Sequence, residues 1–388
     1  MGETDGPQPE LGVITRAVFD RHWRIEGYTC PNAERYPWQW LWDSAFHAIV
    51  WAELGDDRAP VELRTLLCGQ DRESGFVPHI GYQREPTFLA DFWGRIGWSS
   101  ITQPPMYGHA VAELEARGVS VSGATIERAV AGVRFLTRSR RRSRAGLVEL
   151  VHPWESGADD SLRWDDLVGG PDVSSEARFE RKGALLNGVI RGPGGEPLAN
   201  DAFAVGAASM TALVAFNAAE IAAVTGDEGL RSAADELAGA LSDRWDPELA
   251  TWIDDGPTAG GSGRTRSVEA LLGALVDPDH AHVDAALDQL LDPAAHGAPF
   301  GPTGVHRGEP AYAPATYWRG PAWPQLTYLL WVAARRRGRG DVAAALAGSL
   351  TAGANLSGFA EYWHPDSGVG GGAVPQSWTG LAYVVDQA

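Results

Sequence analysis

Asp159 stands in the run Trp154-Glu155-Ser156-Gly157-Ala158-Asp159-Asp160-Ser161-Leu162-Arg163-Trp164-Asp165, and Glu361 in Glu361-Tyr362-Trp363-His364-Pro365. Indole neighbours strip water from a carboxyl group and favour its neutral form, so such a group can donate a proton near neutral pH. Two carboxyl groups, one protonated and one ionised, are what cleavage of a glycosidic bond requires. The 16 Trp, against 11 Phe and 9 Tyr, point the same way. The C–H face of a sugar lies flat on an indole, while its hydroxyls need polar partners at the edges. Trp stands beside a charged residue in Trp42-Asp43, Trp164-Asp165, Trp318-Arg319 and Trp245-Asp246, and Phe92-Trp93-Gly94-Arg95 is similar. Any one of these indoles would serve as core filling; together they read as a sugar site.

Composition narrows the alternatives. Hydrophobic residues at 44% and charged residues at 21% are ordinary globular values and argue against wholesale disorder. A formal net charge of -18 disfavours nucleic acid and anionic membranes, which need compensating cations. Lys182 is the sole lysine. Cys30 and Cys68 form no disulfide framework, and the start Met1-Gly2-Glu3-Thr4-Asp5 lacks a basic stretch and an apolar core. With no apolar run of the roughly 18 residues that span a bilayer, the expectation is a reduced, cytoplasmic protein without a membrane partner. Oligomeric state is left open.

Apolar spacing of three and four residues recurs along the chain, and alternation of strand length is scarce. It predicts twelve helices, at 11–26, 42–54, 57–69, 104–117, 123–141, 200–225, 227–244, 267–277, 280–291, 321–337, 340–356 and 376–386. Ser122 or Ser120 and Asp279 are candidate caps, and Pro321 suits a first turn. The basic runs Arg138-Ser139-Arg140-Arg141-Arg142 and Arg335-Arg336-Arg337 read as solvated helix C-termini. Long Gly-, Pro- and Trp-rich segments lie at 70–103, 145–199, 246–266, 292–320 and 357–375, and segments of that length are usually functional. Six helical hairpins whose inner helices close a ring, with the long segments building a cleft at one end, make an all-α (α/α)6 barrel. A single catalytic domain over 1–388 is expected.

Six ordered motifs carry a resemblance: Tyr36-Pro37-Trp38-Gln39-Trp40-Leu41-Trp42-Asp43-Ser44-Ala45-Phe46-His47, Gly75-Phe76-Val77-Pro78-His79, Ser99-Ser100-Ile101-Thr102-Gln103-Pro104-Pro105, the Glu155 to Asp165 segment, Tyr317-Trp318-Arg319-Gly320-Pro321-Ala322-Trp323-Pro324, and Glu361 to Gly368 followed by Ser377-Trp378-Thr379-Gly380. In order and content they resemble glycoside hydrolase family 63, in its mannosylglycerate and glucosylglycerate hydrolase branch, with trehalase more distantly similar. The resemblance covers about residues 11 to 388. It implies an inverting hydrolase of an α-glycosidic bond in a small α-glucoside or α-mannoside, on an (α/α)6 barrel and without a cofactor. Asp159 matches the acid and Glu361 the base. Inversion needs room for a water between base and anomeric carbon.

The resemblance and the clusters together give a substrate-binding set of Tyr36, Trp40, Trp42, Asp43, Gln103, Arg163, Trp164, Trp318, Arg319, Trp323 and Trp378. Asp43 is expected at the sugar hydroxyls, and Arg319 is expected to bind hydroxyls or orient a carboxylate. Asp160, Asp165 and Asp166 could hold calcium, but their spacing matches no EF-hand loop, and no metal is expected. His280 and His282 read as exposed, without carboxylate partners. Gly370-Gly371-Gly372 lacks the Lys and Ser/Thr of a phosphate loop. Asp160 and Leu162 stand where the family more often has Asn and Pro, and Gln376 where an aromatic is usual; both departures bear on the substrate. Two rivals remain. A sugar epimerase or isomerase on the same scaffold would need paired histidines; a catalytically silent carbohydrate-binding protein would not need both carboxylates.

Overall fold

The hydrophobic pattern sorts the helices into two rings. The computed structural model describes residues 10–388 apart from 171, 257, 260 and 261. All twelve expected helical segments occur there: α1 Leu11–His22, α2 Leu41–Glu53, α3 Arg58–Leu66, α4 Tyr107–Ala116, α5 Gly123–Arg134, α6 Ala208–Thr225, α7 Glu228–Ser242, α8 Val268–Leu275, α9 His280–Asp288, α10 Pro324–Arg336, α11 Gly340–Leu356 and α12 Leu381–Asp386. Helices α2, α4, α6, α8, α10 and α12 each pack on the next, and α12 packs on α2 to close the ring. Helices α3, α5, α7, α9 and α11 each back onto the inner helix before them, and α1 backs onto α12. This is the (α/α)6 barrel.

Burial follows that division. Every residue of α2 from Leu41 to Ala52 and of α10 from Pro324 to Ala334 is buried, as a helix between neighbours on all sides requires. Outer helix α7 buries only the stripe Leu230, Ala234, Leu237 and Leu241. Helix α6 is long and apolar enough to cross a membrane by length and composition, contrary to the sequence expectation, but 72% of it is buried in the barrel. It is an inner core helix.

Several boundaries move, each because a competing pairing ends or delays a helix. Helix α1 stops at His22 because Trp23–Arg24 turns back to pair with Tyr28–Thr29. Helix α6 starts at Ala208 because Val205–Gly206 first pairs with Glu149–Leu150. Pro321 is not in a first turn. Ala322 is bridged to Trp363 in both directions, which keeps the backbone extended, and Pro324 takes the first helical position. The eighth segment is a 3-10 helix. Ser122 and Asp279 cap α5 and α9 through their side chains. Within the long segments lie short helices Ala90–Trp93, Asp165–Val168 and Ser175–Leu185, which the sequence reading leaves as loop.

Buried ion pairs fix the segment that carries Asp159. Arg140, placed at a solvated helix end by sequence, is only 3% exposed and closes on Glu155 at 2.5 and 2.9 Å. Glu155 also accepts the backbone N–H of Thr102 and of Val151. Arg163 closes on Asp254 at 2.8 and 2.7 Å, and Asp254 accepts the N–H of Ala208 at the start of α6. Arg319 closes on Asp165 at 2.8 and 2.6 Å. Arg163→Met leaves Asp254 buried without its main counter-ion, so unfolding in denaturant should show a loss of about 3–5 kcal/mol, much of it recovered in Arg163→Met/Asp254→Leu. A loss under about 1 kcal/mol would mean that the pair does not hold this segment.

Candidate active site

The lining residues of one cavity come from the start of inner helices or the segments just before them. Trp40, Trp42 and Asp43 stand at the start of α2, and Gln103 precedes α4. Gly157 and Asp159 precede α6, Tyr317 and Trp318 precede α10, and Glu361, Gln376 and Trp378 precede α12; Pro31 and Tyr36 complete the wall. These inner helices therefore present the same end to the site. Segments 70–103, 145–199, 292–320 and 357–375 lead into it, whereas 246–266 adds no lining residue among the described ones and instead supplies Asp254, the anchor of Arg163.

Five buried polar atoms in this wall have no hydrogen-bond partner among the described residues: Trp40 Nε1, Trp318 Nε1, Asp43 Oδ1, Gln103 Oε1 and Gln376 Oε1. Buried polar groups are nearly always satisfied, so two donors and three acceptors converging on one cavity describe a ligand rich in hydroxyls. Asp43 is 2% exposed, and burial, then the charges of Glu361 and Glu62, hold its carboxyl well above the ordinary range.

The two principal carboxyl groups differ in their hydrogen bonds. Glu361 Oε2 accepts the N–H of Ala373 at 2.8 Å, and Tyr36 Oη lies 3.3 and 3.4 Å from its two oxygens. Gly372 allows this approach: its φ is +74°, and a Cβ there would lie 2.3 Å from Glu361 Oε2. Burial raises the Glu361 carboxyl above its usual range, while the Ala373 N–H, Arg35 and the tyrosines oppose that rise. Asp159 receives no hydrogen bond on its carboxyl group from any described residue. Burial pushes it up to about 7; Asp160 and Glu361 add to the rise and Lys182 opposes it.

Trp318 adopts a left-handed φ of 57°, which costs a non-glycine residue about 1–3 kcal/mol. Its indole is stacked on Trp323 at 3.7 Å and 9°, so Trp323 backs the wall without lining it. Arg163, Trp164 and Arg319 also stay out of the lining. Both guanidinium groups are consumed by ion pairs, and Trp164 is fully buried with Nε1 on the Ala158 carbonyl. The sequence set omits Pro31, Gly157, Tyr317 and Gln376, although the last three stand in or beside its motifs.

Asp160, Asp165, His282 and His109 all have protein partners, which corrects the expectation for His282. Asp160 binds Lys182 at 2.9 Å and Asp165 binds Arg319, so cations hold these carboxylates. His282 does have carboxylate partners, Asp277 at 3.1 Å and Asp279 at 3.7 Å, and stacks on Trp245. His109, Glu113 and Glu220 cluster between α4 and α6, but Tyr328, Arg117 and Arg336 already engage them.

The family model of the mannosylglycerate hydrolase MGH1-like glycoside hydrolase domain matches residues 36–379. The chain belongs to this glycoside hydrolase family. A mannosylglycerate hydrolase of Rubrobacter radiotolerans is 30% identical over 97% of each chain. A glucosylglycerate hydrolase of Mycolicibacterium hassiacum is 29% identical over 89% of this chain and 91% of its own. In fold, the family 63 mannosylglycerate hydrolase of Thermus thermophilus, crystallised with Tris and D-glycerate, superposes with a TM-score of 0.84 at 24% identity, over 97% of this chain and 100% of its own. The protein is a glycoside hydrolase on a family 63 barrel.

The raised Asp159 makes a stability prediction. A carboxyl whose folded pKa lies above its unfolded value contributes stability below the unfolded pKa and loses it as pH rises through the folded one. Asp159→Asn should therefore match the wild type near pH 3 and exceed it by at least about 1.4 kcal/mol, the equivalent of one pKa unit, above pH 7. Denaturant unfolding at both pH values checks this; equal stability at both would refute a raised Asp159.

Proposed function

We propose that this glycoside hydrolase cleaves the α-glycosidic bond of small α-glucosides or α-mannosides with inversion, Asp159 acting as acid and Glu361 as base. Mannosylglycerate and glucosylglycerate, named for the relatives, are the reference substrates. The observation that carries the reading is the asymmetry of two carboxyl groups on one cavity wall. Asp159, desolvated and without donors, keeps its proton near neutrality. It protonates the glycosidic oxygen. Glu361, given a backbone N–H and a phenol, is kept as the carboxylate that draws a proton from water. The water attacks the opposite face of the anomeric carbon as the leaving alcohol departs.

The unpartnered atoms of Trp40, Asp43, Gln103 and Gln376 would bind the hydroxyls of the sugar that is attacked, and Trp42, Trp318 and Trp378 would pack on its apolar face. No histidine lines this cavity among the described residues, which favours hydrolysis over an epimerase chemistry. The packing of α1 onto α12 at the closing seam of the ring supports one catalytic domain. A cytoplasmic location rests on the sequence alone.

Asp159→Asn and Glu361→Gln should each lower kcat by about 10²–10⁴-fold while sugar binding persists, as turnover assays and calorimetric titration with glucose and mannose would show. Either variant retaining more than about a tenth of wild-type turnover would remove that residue from its role. For the wild type, kcat/KM should fall above about pH 7 as Asp159 loses its proton, and the acidic limb should lie above the ordinary glutamate range. Loss of the alkaline limb in Asp159→Asn would accompany loss of the acid. Proton NMR of the fresh product should show the β-anomer first; the α-anomer would indicate a covalent intermediate on Glu361.

A further inference from the structure

A second cavity, of about 320 Å³ against about 90 Å³ for the first, opens beside Asp159 and shares Trp40, Gln103, Asp159 and Tyr317 with it. Glu361 is not in its wall. An inverting hydrolase expels its leaving group on the side of the acid, so this cavity stands where the aglycone must lie. Its wall is aromatic. Trp38 stacks on Phe88 at 5.2 Å, Phe92 packs on Trp93 at 4.8 Å, and Trp154 packs on Phe179 at 5.7 Å. Phe88 is 43% exposed, Phe92 41% and Phe179 57%, a cluster of exposed rings on two separate segments. Scattered surface apolar side chains are commonplace, but a contiguous group rimming a cavity marks a binding surface.

Charge points the same way. Lys182 is the one cation in this wall among the described residues, and its Nζ is held by Asp160 Oδ1 at 2.9 Å. Arg178 lies 3.8 Å from the other Asp160 oxygen and does not line the cavity. A carboxylate-bearing aglycone would have to displace Asp160 from Lys182 to find a counter-charge. A neutral ring or alkyl chain needs no such exchange and gains stacking on indole and phenyl faces.

We propose that the aglycone cavity of this protein is built for an uncharged aromatic or long-chain alcohol, so that its substrates are α-glycosides of apolar alcohols rather than of a small hydroxy acid. The proposal rests on the hydrolase reading above, and water adds across the bond so that the sugar and the free apolar alcohol are the two products.

The test uses the purified full chain and six substrates, the benzyl, glyceryl and glycerate α-glycosides of mannose and of glucose. Benzyl alcohol and glycerol have similar leaving-group acidity, so their comparison reads recognition rather than intrinsic reactivity. For the sugar that is accepted, kcat/KM should be at least tenfold higher for the benzyl glycoside than for the glyceryl or glycerate one. Phe92→Ala and Phe179→Ala, both at exposed rings, should each reduce the benzyl-to-glyceryl ratio several-fold. Asp160→Asn, which releases Lys182, should raise the glycerate-to-glyceryl ratio. Hydrolysis that favours the glycerate glycoside, or ratios unmoved by the two phenylalanine variants, would overturn the aglycone proposal and leave the hydrolase standing. Hydrolysis of none of the six would overturn the hydrolase reading and the aglycone proposal with it.

Discussion

Three guanidinium groups, each closed on a carboxylate by two hydrogen bonds, make the segment around Asp159 possible. That segment is not one continuous helix or strand; it is a series of short helical turns, Pro153–Ser156, Leu162–Trp164 and Asp165–Val168, whose remaining backbone polar groups need outside partners. Arg140 and Glu155 satisfy its beginning, Arg163 and Asp254 tie its middle to the start of α6, and Arg319 and Asp165 join its end to the loop of Tyr317 and Trp318. Paired charges taken out of water contribute little net stability, but breaking one pair is costly. The pairs therefore act less as general stabilisers than as a specification of one loop geometry.

The specification matters for the acid role proposed for Asp159, which asks that its carboxyl group be held without a donor upon it. Any donor on its carboxyl group would favour the ionised form and lower its pKa. The chain meets this by fixing the residues on either side and leaving the carboxyl to desolvation alone. Glu361 is treated in the opposite way. Its carboxylate is gripped by the Ala373 N–H and faced by Tyr36, and Gly372 leaves the space for that contact. One fold thus buries two carboxyl groups, both raised by desolvation, and gives them different donors: none on Asp159 among the described residues, a backbone N–H and a phenol on Glu361.

The indoles divide between two tasks. Trp40, Trp42, Trp318 and Trp378 reach the cavity, whereas Trp51, Trp164, Trp252, Trp323 and Trp363 are fully buried and pack the barrel and its loops. Trp323 links the tasks, since its stacking on Trp318 supports a residue in a left-handed conformation. The aromatic cluster on the Asp159 side is a third group, carried by two of the long segments together with Trp38 ahead of α2. The barrel positions the carboxyl groups, and those segments, with Trp38 and Trp40, wall the cavity beside Asp159.

The sequence by itself determined the mainly helical class, the twelve barrel helices and the two carboxyl groups that meet at one cavity, because apolar periodicity of three and four residues and Trp beside Asp or Glu are local signals. It also marked most of the cavity wall, since Tyr36, Trp40, Trp42, Asp43, Gln103, Trp318 and Trp378 stand in its motifs. Adjacency in sequence misled it for Arg163, Trp164 and Trp323, which sit beside site residues yet do not line the cavity, whereas Arg319 holds the Asp165 carboxylate, one of the two roles expected of it. Only the tertiary structure could assign those side chains, because their partners Asp254, Ala158, Asp165 and Trp318 are fixed by how the loops close over the ring. The same holds for the helix boundaries near 206 and 322, where a strand pairing between distant segments overrides local helix preference. It holds most for Lys182, the sole lysine, whose pairing with Asp160 no local signal marks, since an ion pair is a property of distance and not of order along the chain.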